Sequence, residues 1–360
     1  MRVNHFVATW EPGAVGGHVV AAQAALRDAG IGGDVYAGVV RDGLPITAYP
    51  VADYDRRARP GDVLCYEHAI GSTVADVVLA RDEPLVVQYH NVTPHAFFDA
   101  WDRPLADALD WGRHQLRALA RRSALGLADS HYNELELRAA GFAQTAVVPV
   151  FVDFERTSAN IDAALRDTLL ADKGGAGWLF VGRLAPNKAQ HELVKAFALY
   201  RRTFDPGGRL WLIGGDTGSR YGQVLERFIR DAELLDAVQL VGPTGNEALG
   251  AYFDAADAFV CMSRHEGFGV PLLEAMAHGV PVVARTGTAV TETVADAGLL
   301  LEEDAPAIDV AAAVHRVVTD RALRDALTAS GRRRAGEFAP ARTRAVFLDA
   351  LAPLTRSSAA

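Results

Sequence analysis

Short apolar runs alternate with stretches of helical periodicity along nearly the whole chain, and this alternation most limits what the chain can become. In the first half the runs include "VNHFVAT", "DVLCYE", "PLVVQYH" and "LGLADS"; in the second, "GWLFVG", "RLWLIGG", "VQLVG", "AFVCMS" and "VPVVA". Runs of this length that stay apolar, rather than alternating with polar residues, are strands buried on both faces, and with helices between them they predict βαβ units and parallel sheets. A chain of 360 residues exceeds what one hydrophobic core usually organises. The pattern also breaks between "VVPVFVD" and the glycine cluster at 174–177. The expected fold is therefore α/β, with two Rossmann-like doubly wound domains facing each other across a cleft: residues 1–152, a linker or hinge at 153–175, and residues 176–335, followed by a last helix at 336–355. Sheets of this kind bind ligands beyond the carboxyl ends of their strands, so functional residues are sought just after the strands.

Net charge narrows the partners. At −9, the chain lacks the basic surplus that phosphate-backbone binding requires, and nucleic acid is not expected as a partner. Cys65 and Cys261 lie in apolar runs far apart in sequence, which reads as two buried thiols in a reducing compartment. The opening "MRVNHFVATWEPG" has no signal-peptide core, and no apolar run reaches the length of a membrane span. A cytoplasmic location is expected.

Four motifs follow strands. "GAVGGHVVAAQAALRDAG" is a glycine-rich turn, Gly13 to Gly17, leading into an amphipathic helix; there the backbone of Gly16 and Gly17 can approach a phosphate or sugar. "QYHNVTPH" places His90 and Asn91 at the end of a strand, before Pro94 stops regular structure. In "FVGRLAPNKAQHELVKAF", Arg183 and Lys188 fall where both cations can converge on an anion near a helix start. Of the 36 Lys and Arg residues only Lys173, Lys188 and Lys195 are lysine, so a lysine at this turn stands out in an arginine-biased chain.

The fourth motif, "SRHEGFGVPLLEAMAHGVPVVA", sets Glu266 in a loop beside Gly267, Phe268 and Gly269, and Glu274 about one turn into a helix that starts near Pro271 and stops at Gly279. Carboxylates do not bind phosphate. Two of them beside a cationic pair suit hydroxyl-rich groups, a sugar ring and a ribose.

Together, "FVGRLAPNK", the Glu-x7-Glu block and the early "GGH" turn resemble the family-four retaining glycosyltransferases, which use nucleotide sugars and have the GT-B fold. The resemblance implies that Arg183 and Lys188 bind the donor diphosphate. It implies that Glu266 binds hydroxyls of the transferred sugar, helped by the backbone of Gly267 to Gly269, and that Glu274 binds the ribose. His90 would stand near the reacting sugar, Gly16 and Gly17 would close over phosphates or acceptor, and the last helix would cross back to the first domain.

The implied enzyme is a retaining hexosyltransferase that moves a hexose from a nucleotide-diphosphate sugar to a hydroxyl acceptor, whether glycan, glycolipid or natural product, by stabilising the departing diphosphate. No side chain stands out as a nucleophile, and no metal or cofactor is expected beyond the donor. "YHNVTP" is similar to members that use GDP-mannose, while UDP-hexoses stay open. A phosphorylase or epimerase on the same fold is the alternative. Arg113, Arg117 and Arg121, spaced i, i+4, i+8 beside Leu116 and Leu119, form a basic stripe that would suit an anionic membrane carrying a lipid-linked acceptor; a solvated helix face in an arginine-biased chain is the preferred reading of the two.

Overall fold

A computed structural model describes residues 2–356. The chain forms two compact units, one built from the chain up to Val152 together with the segment from Pro340 onward, the other from Asp153–Ala339.

The first unit holds a seven-stranded parallel sheet: β1 (Arg2–Trp10), β2 (Val35–Val40), β3 (Ala48–Pro50), β4 (Asp62–His68), β5 (Leu85–Tyr89), β6 (Leu125–Ala128) and β7 (Thr145–Val147), in the order β3-β2-β1-β4-β5-β6-β7. The second holds six: β8 (Gly177–Val181), β9 (Arg209–Ile213), β10 (Val238–Gly242), β11 (Ala258–Cys261), β12 (Val282–Arg285) and β13 (Gly298–Leu301), in the order β10-β9-β8-β11-β12-β13. Every residue of β4, β5, β6, β11 and β12 is buried, which is why these strands read as largely apolar runs. In each sheet the strand order reverses once, between β1 and β4 and between β8 and β11, as in doubly wound GT-B domains.

Several helices start where short polar side chains satisfy free N–H groups. Asp102 caps Arg103–Arg122 through Leu105 N, and Ser130 caps His131–Ala140 through Asn133 N. The helix Val270–His278 carries Pro271 in its first turn and ends on Gly279 at φ 79°, as the sequence predicts.

Three expectations change. The helix after β1 begins at Ala14, so Gly16 and Gly17 lie in its first turn and not in a preceding loop. A Cβ on Gly16 would meet the Glu11 carbonyl oxygen at 2.3 Å, so packing alone requires glycine there. Residues 153–175 are no free linker: they carry helices Glu155–Ser158 and Ala163–Asp172, tied to the second unit by Asp162 N donating to Glu247 O (3.1 Å) and by the Thr157 hydroxyl at 3.0 Å from His278 Nε2. The segment expected as a last helix at 336–355 is divided. Arg321–Glu337 ends in the second unit, and the helix Pro340–Arg356 puts Phe347 and Leu351 into the first unit's core with Val3, Leu26, Val63 and Cys65.

Candidate functional site: the carboxyl ends of the strands

In the second unit, two loops at the switch point are stitched together. Asn187, in the turn Pro186–Lys188 after β8, accepts from Arg264 N through its carbonyl (2.8 Å) and donates its amide to His265 O (3.1 Å). This register brings Lys188 Nζ to 2.5 Å from Glu266 Oε2, with the two side chains 21% and 13% exposed. An ammonium has three N–H donors and a carboxylate two oxygens, so this pair still has capacity on both sides. Behind it, Glu192 ties the helix Gln190–Thr203 to Arg264 (2.6 Å) and to Arg285 at the end of β12. Burial works against the Glu192 charge, but Arg285 and Arg264 outweigh it and hold the carboxyl below its ordinary range.

Arg183 sits at the start of the same loop, half exposed, with Nε 3.4 Å from Asp216 after β9. The backbones here come very close: a Cβ on Gly214 would lie 2.2 Å from Gly182 O. Gly214, at φ 148°, lets the β9 turn pass under the loop that carries Arg183.

Glu274 is 2% exposed, and its Oε1 accepts from Arg156 on the short helix Glu155–Ser158. Gly269, at φ 93°, begins the helix that carries Glu274. The Phe268 ring turns inward against Phe338, 5.5 Å between centroids, so at this position the backbone is what faces the loop. The structure thus brings Lys188 to Glu266 and sets Arg183 in the loop after β8 and Glu274 on the helix that follows the neighbouring strand β11. Sequence reasoning did not find Arg156, Asp216 or Glu192.

In the first unit His90 follows β5 and its side chain is 6% exposed. Its Nε2 lies 2.7 Å from Glu67 Oε2, and its Nδ1 2.9 Å from Asp129 Oδ2. Burial disfavours its charge, but Asp129 and Glu67 outweigh burial and raise the imidazole to about 10. Asn91, at φ 70°, directs its amide to Asn133 Oδ1 (2.9 Å) and Glu136 Oε2 (3.0 Å), which commits those donors to the fold. A Cβ on Gly17 would meet nothing within 4 Å, so its face is open. Glu67 and Asp129 escaped the sequence reading, although a glutamate inside the buried run "DVLCYEH" is the kind of signal that marks them.

Of the basic stripe, Arg113 donates to Glu136 (3.0 Å) and Leu116 and Leu119 are buried, leaving Arg117 and Arg121 as its exposed members. Asp53 and Asp55, which flank buried Tyr54, pair with Arg56 and Arg81. Among the described residues no helix is long and apolar enough to cross a membrane. Among the described residues two groups have donor atoms close enough for a metal, His5 with Cys65 and Glu67, and His18 with Glu67 and His90.

A family model for the group 1 glycosyl transferases matches residues 162–334, the stretch that holds Arg183, Lys188, Glu266 and Glu274. The D-inositol 3-phosphate glycosyltransferase of Geodermatophilus obscurus is 30% identical over 92% of this chain and 83% of its own. The chain belongs to the group 1 glycosyltransferases. The enzyme of the same name from Kineococcus radiotolerans is also 30% identical, over 84% of this chain and 75% of its own. Among solved structures, sucrose-phosphate synthase from Thermosynechococcus elongatus superposes with a TM-score of 0.77 at 22% identity, covering 99% of both chains. Anabaena HepE in complex with UDP-glucose gives 0.76 at 18% identity, covering 98% of this chain and 100% of that one. These two likenesses establish the GT-B fold for this glycosyltransferase.

Proposed function

We propose that this glycosyltransferase moves a hexose from a nucleotide-diphosphate sugar to a hydroxyl acceptor with retention of anomeric configuration. The observation that carries the reading is the Lys188–Glu266 pair, with Arg183 on the same loop, at the switch point of the second sheet.

On this reading Arg183 and Lys188 bind the diphosphate, where negative charge grows as the anomeric C–O bond breaks. Fixed cations therefore stabilise the transition state more than the ground state. Glu266 holds Lys188 with one oxygen and accepts a sugar hydroxyl with the other, helped by the backbone of Gly267, Phe268 and Gly269. Glu274 accepts from the ribose, with Arg156 holding its buried carboxylate in place. The acceptor oxygen bonds to the anomeric carbon on the face the diphosphate leaves, and a phosphate oxygen takes its proton. Neither a protein nucleophile nor a metal enters this scheme.

HepE, solved in complex with UDP-glucose, supports a UDP-hexose, and GDP-hexoses belong in the same test. The curated relatives are named for inositol 3-phosphate, which puts a phosphorylated cyclitol first among acceptors, with glycan and lipid-linked acceptors next. The parts of His90, Gly16 and Gly17 in the reaction come from the family resemblance, whereas a peripheral membrane contact is read from the Arg113, Arg117 and Arg121 stripe, of which Arg117 and Arg121 are exposed.

The test is thermal stability with UDP-, GDP-, ADP- and dTDP-sugars, since a ligand at 100 times its Kd stabilises by about 2.7 kcal/mol. One nucleotide should shift the melt, and the shift should vanish in Lys188→Ala and Glu274→Ala. A shift that persists in both variants refutes the site. Product NMR of the anomeric proton then reads retention against inversion.

A further inference from the structure

Inside the first unit, polar side chains from four adjacent strands form one chain of contacts. His5 Nδ1 (β1) lies 2.6 Å from Glu67 Oε1 (β4), Glu67 Oε2 lies 2.7 Å from His90 Nε2, His90 Nδ1 lies 2.9 Å from Asp129 Oδ2 (after β6), and Gln88 Nε2 (β5) donates to Asp129 Oδ1 at 2.7 Å. His5, Glu67, Gln88 and Asp129 are all at most 2% exposed. Buried charge is costly unless paired and hydrogen-bonded, so a network of this length is held for a reason other than stability alone.

The hydrogen-bonding capacities determine the protonation state. An ionised carboxylate only accepts, so an imidazole with a carboxylate on each nitrogen must donate from both and carries a positive charge. The other groups around it agree. His18, on the helix Ala14–Asp28, sets its ring edge-on to His90 at 4.9 Å; burial first, and then the His90 charge, lower it to about 4, so it stays neutral. On β4, burial lowers His68 to about 4, with the His90 charge adding to that, while Cys65 sits 3.5 Å from Glu67 Oε1 and burial pushes its thiol up. A metal fits poorly. Ligand atoms around a tetrahedral zinc stand about 3.3 Å apart, whereas His90 Nε2 and Glu67 Oε2 are at hydrogen-bond distance, 2.7 Å.

We propose that Glu67 and Asp129 are positioning residues for the transfer reaction: they grip His90 by both ring nitrogens as an imidazolium, so that it acts as a fixed cation at the end of β5 and never as an acid or base. The grip also anchors the turn that follows, because His90 N donates to His68 O at 3.0 Å and Asn91 next to it holds a positive φ. The proposal rests on the reading that places His90 at the reacting sugar, and it agrees with a mechanism in which the acceptor's proton goes to the diphosphate.

The test uses the full chain. His90 ring signals, assigned by difference with His90→Gln, should stay those of an imidazolium from about pH 6 to about 8.5, and they should titrate inside that window in Glu67→Gln and Asp129→Asn. In parallel, kcat in the two amide variants should recover to within roughly threefold of wild type near pH 6 and fall about tenfold per unit at higher pH, a limb absent from wild type. A neutral or titrating His90 in the wild-type chain overturns the proposal without any variant having to fold. So does an activity loss in both amide variants that is the same at every pH, or one equivalent of copurifying metal released by chelation. Full activity in His90→Gln overturns the proposal together with the reading of His90 beneath it. Loss of activity in His90→Gln, with no pH limb in the amide variants, overturns the proposal alone.

Discussion

On the proposed function, replacing Lys188 with alanine removes the cation and leaves Glu266 towards the donor without its partner. The pair is 2.5 Å apart, with side chains 21% and 13% exposed, so neither the ~0–1 kcal/mol of an exposed ion pair nor a dry-interior figure applies. For a fixed cation on a developing diphosphate charge, roughly 2–4 kcal/mol of transition-state stabilisation is expected. Repulsion from Glu266 pushes the variant to the upper part of that range, a fall in kcat/KM of about 10²–10³-fold. Lys188→Ala/Glu266→Gln should then lose less than the two single losses combined, because the double change removes the stranded charge as well. Lys195→Ala, an exposed lysine on the next helix, should be indistinguishable from wild type. The assay is nucleotide release at subsaturating donor with acceptor in excess. A Lys188→Ala rate within about twofold of wild type, or losses in the cycle that simply add, refutes the reasoning.

Other changes give separate checks. Gly214→Ala forces a Cβ against the Gly182 carbonyl and should weaken donor binding about tenfold or more, read as nucleotide Kd by calorimetry, because the loop carrying Arg183 has to move. Arg156→Ala strands the buried Glu274 carboxylate; with Arg156 itself 42% exposed, the expected loss is about 1–2 kcal/mol in urea unfolding of the second unit, along with weaker nucleotide binding. The first unit should be most stable near pH 6.5, as measured by hydrogen exchange of its peptides. His18 and His68, lowered to about 4, cost stability as the pH falls from 6.5 towards 4, since only the unfolded chain then takes up their protons. His90, raised to about 10, contributes fully below 6.5, and its contribution is lost as the pH rises towards 10.

The sequence exposes what burial makes uniform. β4, β5, β11 and β12 are covered on both faces and read as largely apolar runs, and the Pro271-to-Gly279 frame marks a helix from its ends inwards. β2 escaped because Gly38 breaks "VYAGVV" and its last three residues are exposed; β3 and β7 have three residues each. Lys188 and Glu266 stood out because each follows a strand. That they touch is settled by Asn187, whose partners lie 77 and 78 residues on. His90 was visible as a position, but its chemistry was not, because the carboxylates that decide it are 23 and 39 residues away, on β4 and just after β6.

The helix Pro340–Arg356 gives the chain an order of completion. Phe347 and Leu351 share one core cluster with Ala22, Ala25 and Leu26 of the helix Ala14–Asp28 and with Val3 of β1 and Val63 and Cys65 of β4, and Phe151 lies edge-on to Phe347 at 5.7 Å. During synthesis the second unit has all of its own residues before that helix leaves the ribosome, while the first unit, made earlier, waits with an apolar groove open along β1 and β4. The amino-terminal half is therefore the last to close, and an interruption anywhere downstream leaves it exposed to chaperones and to aggregation.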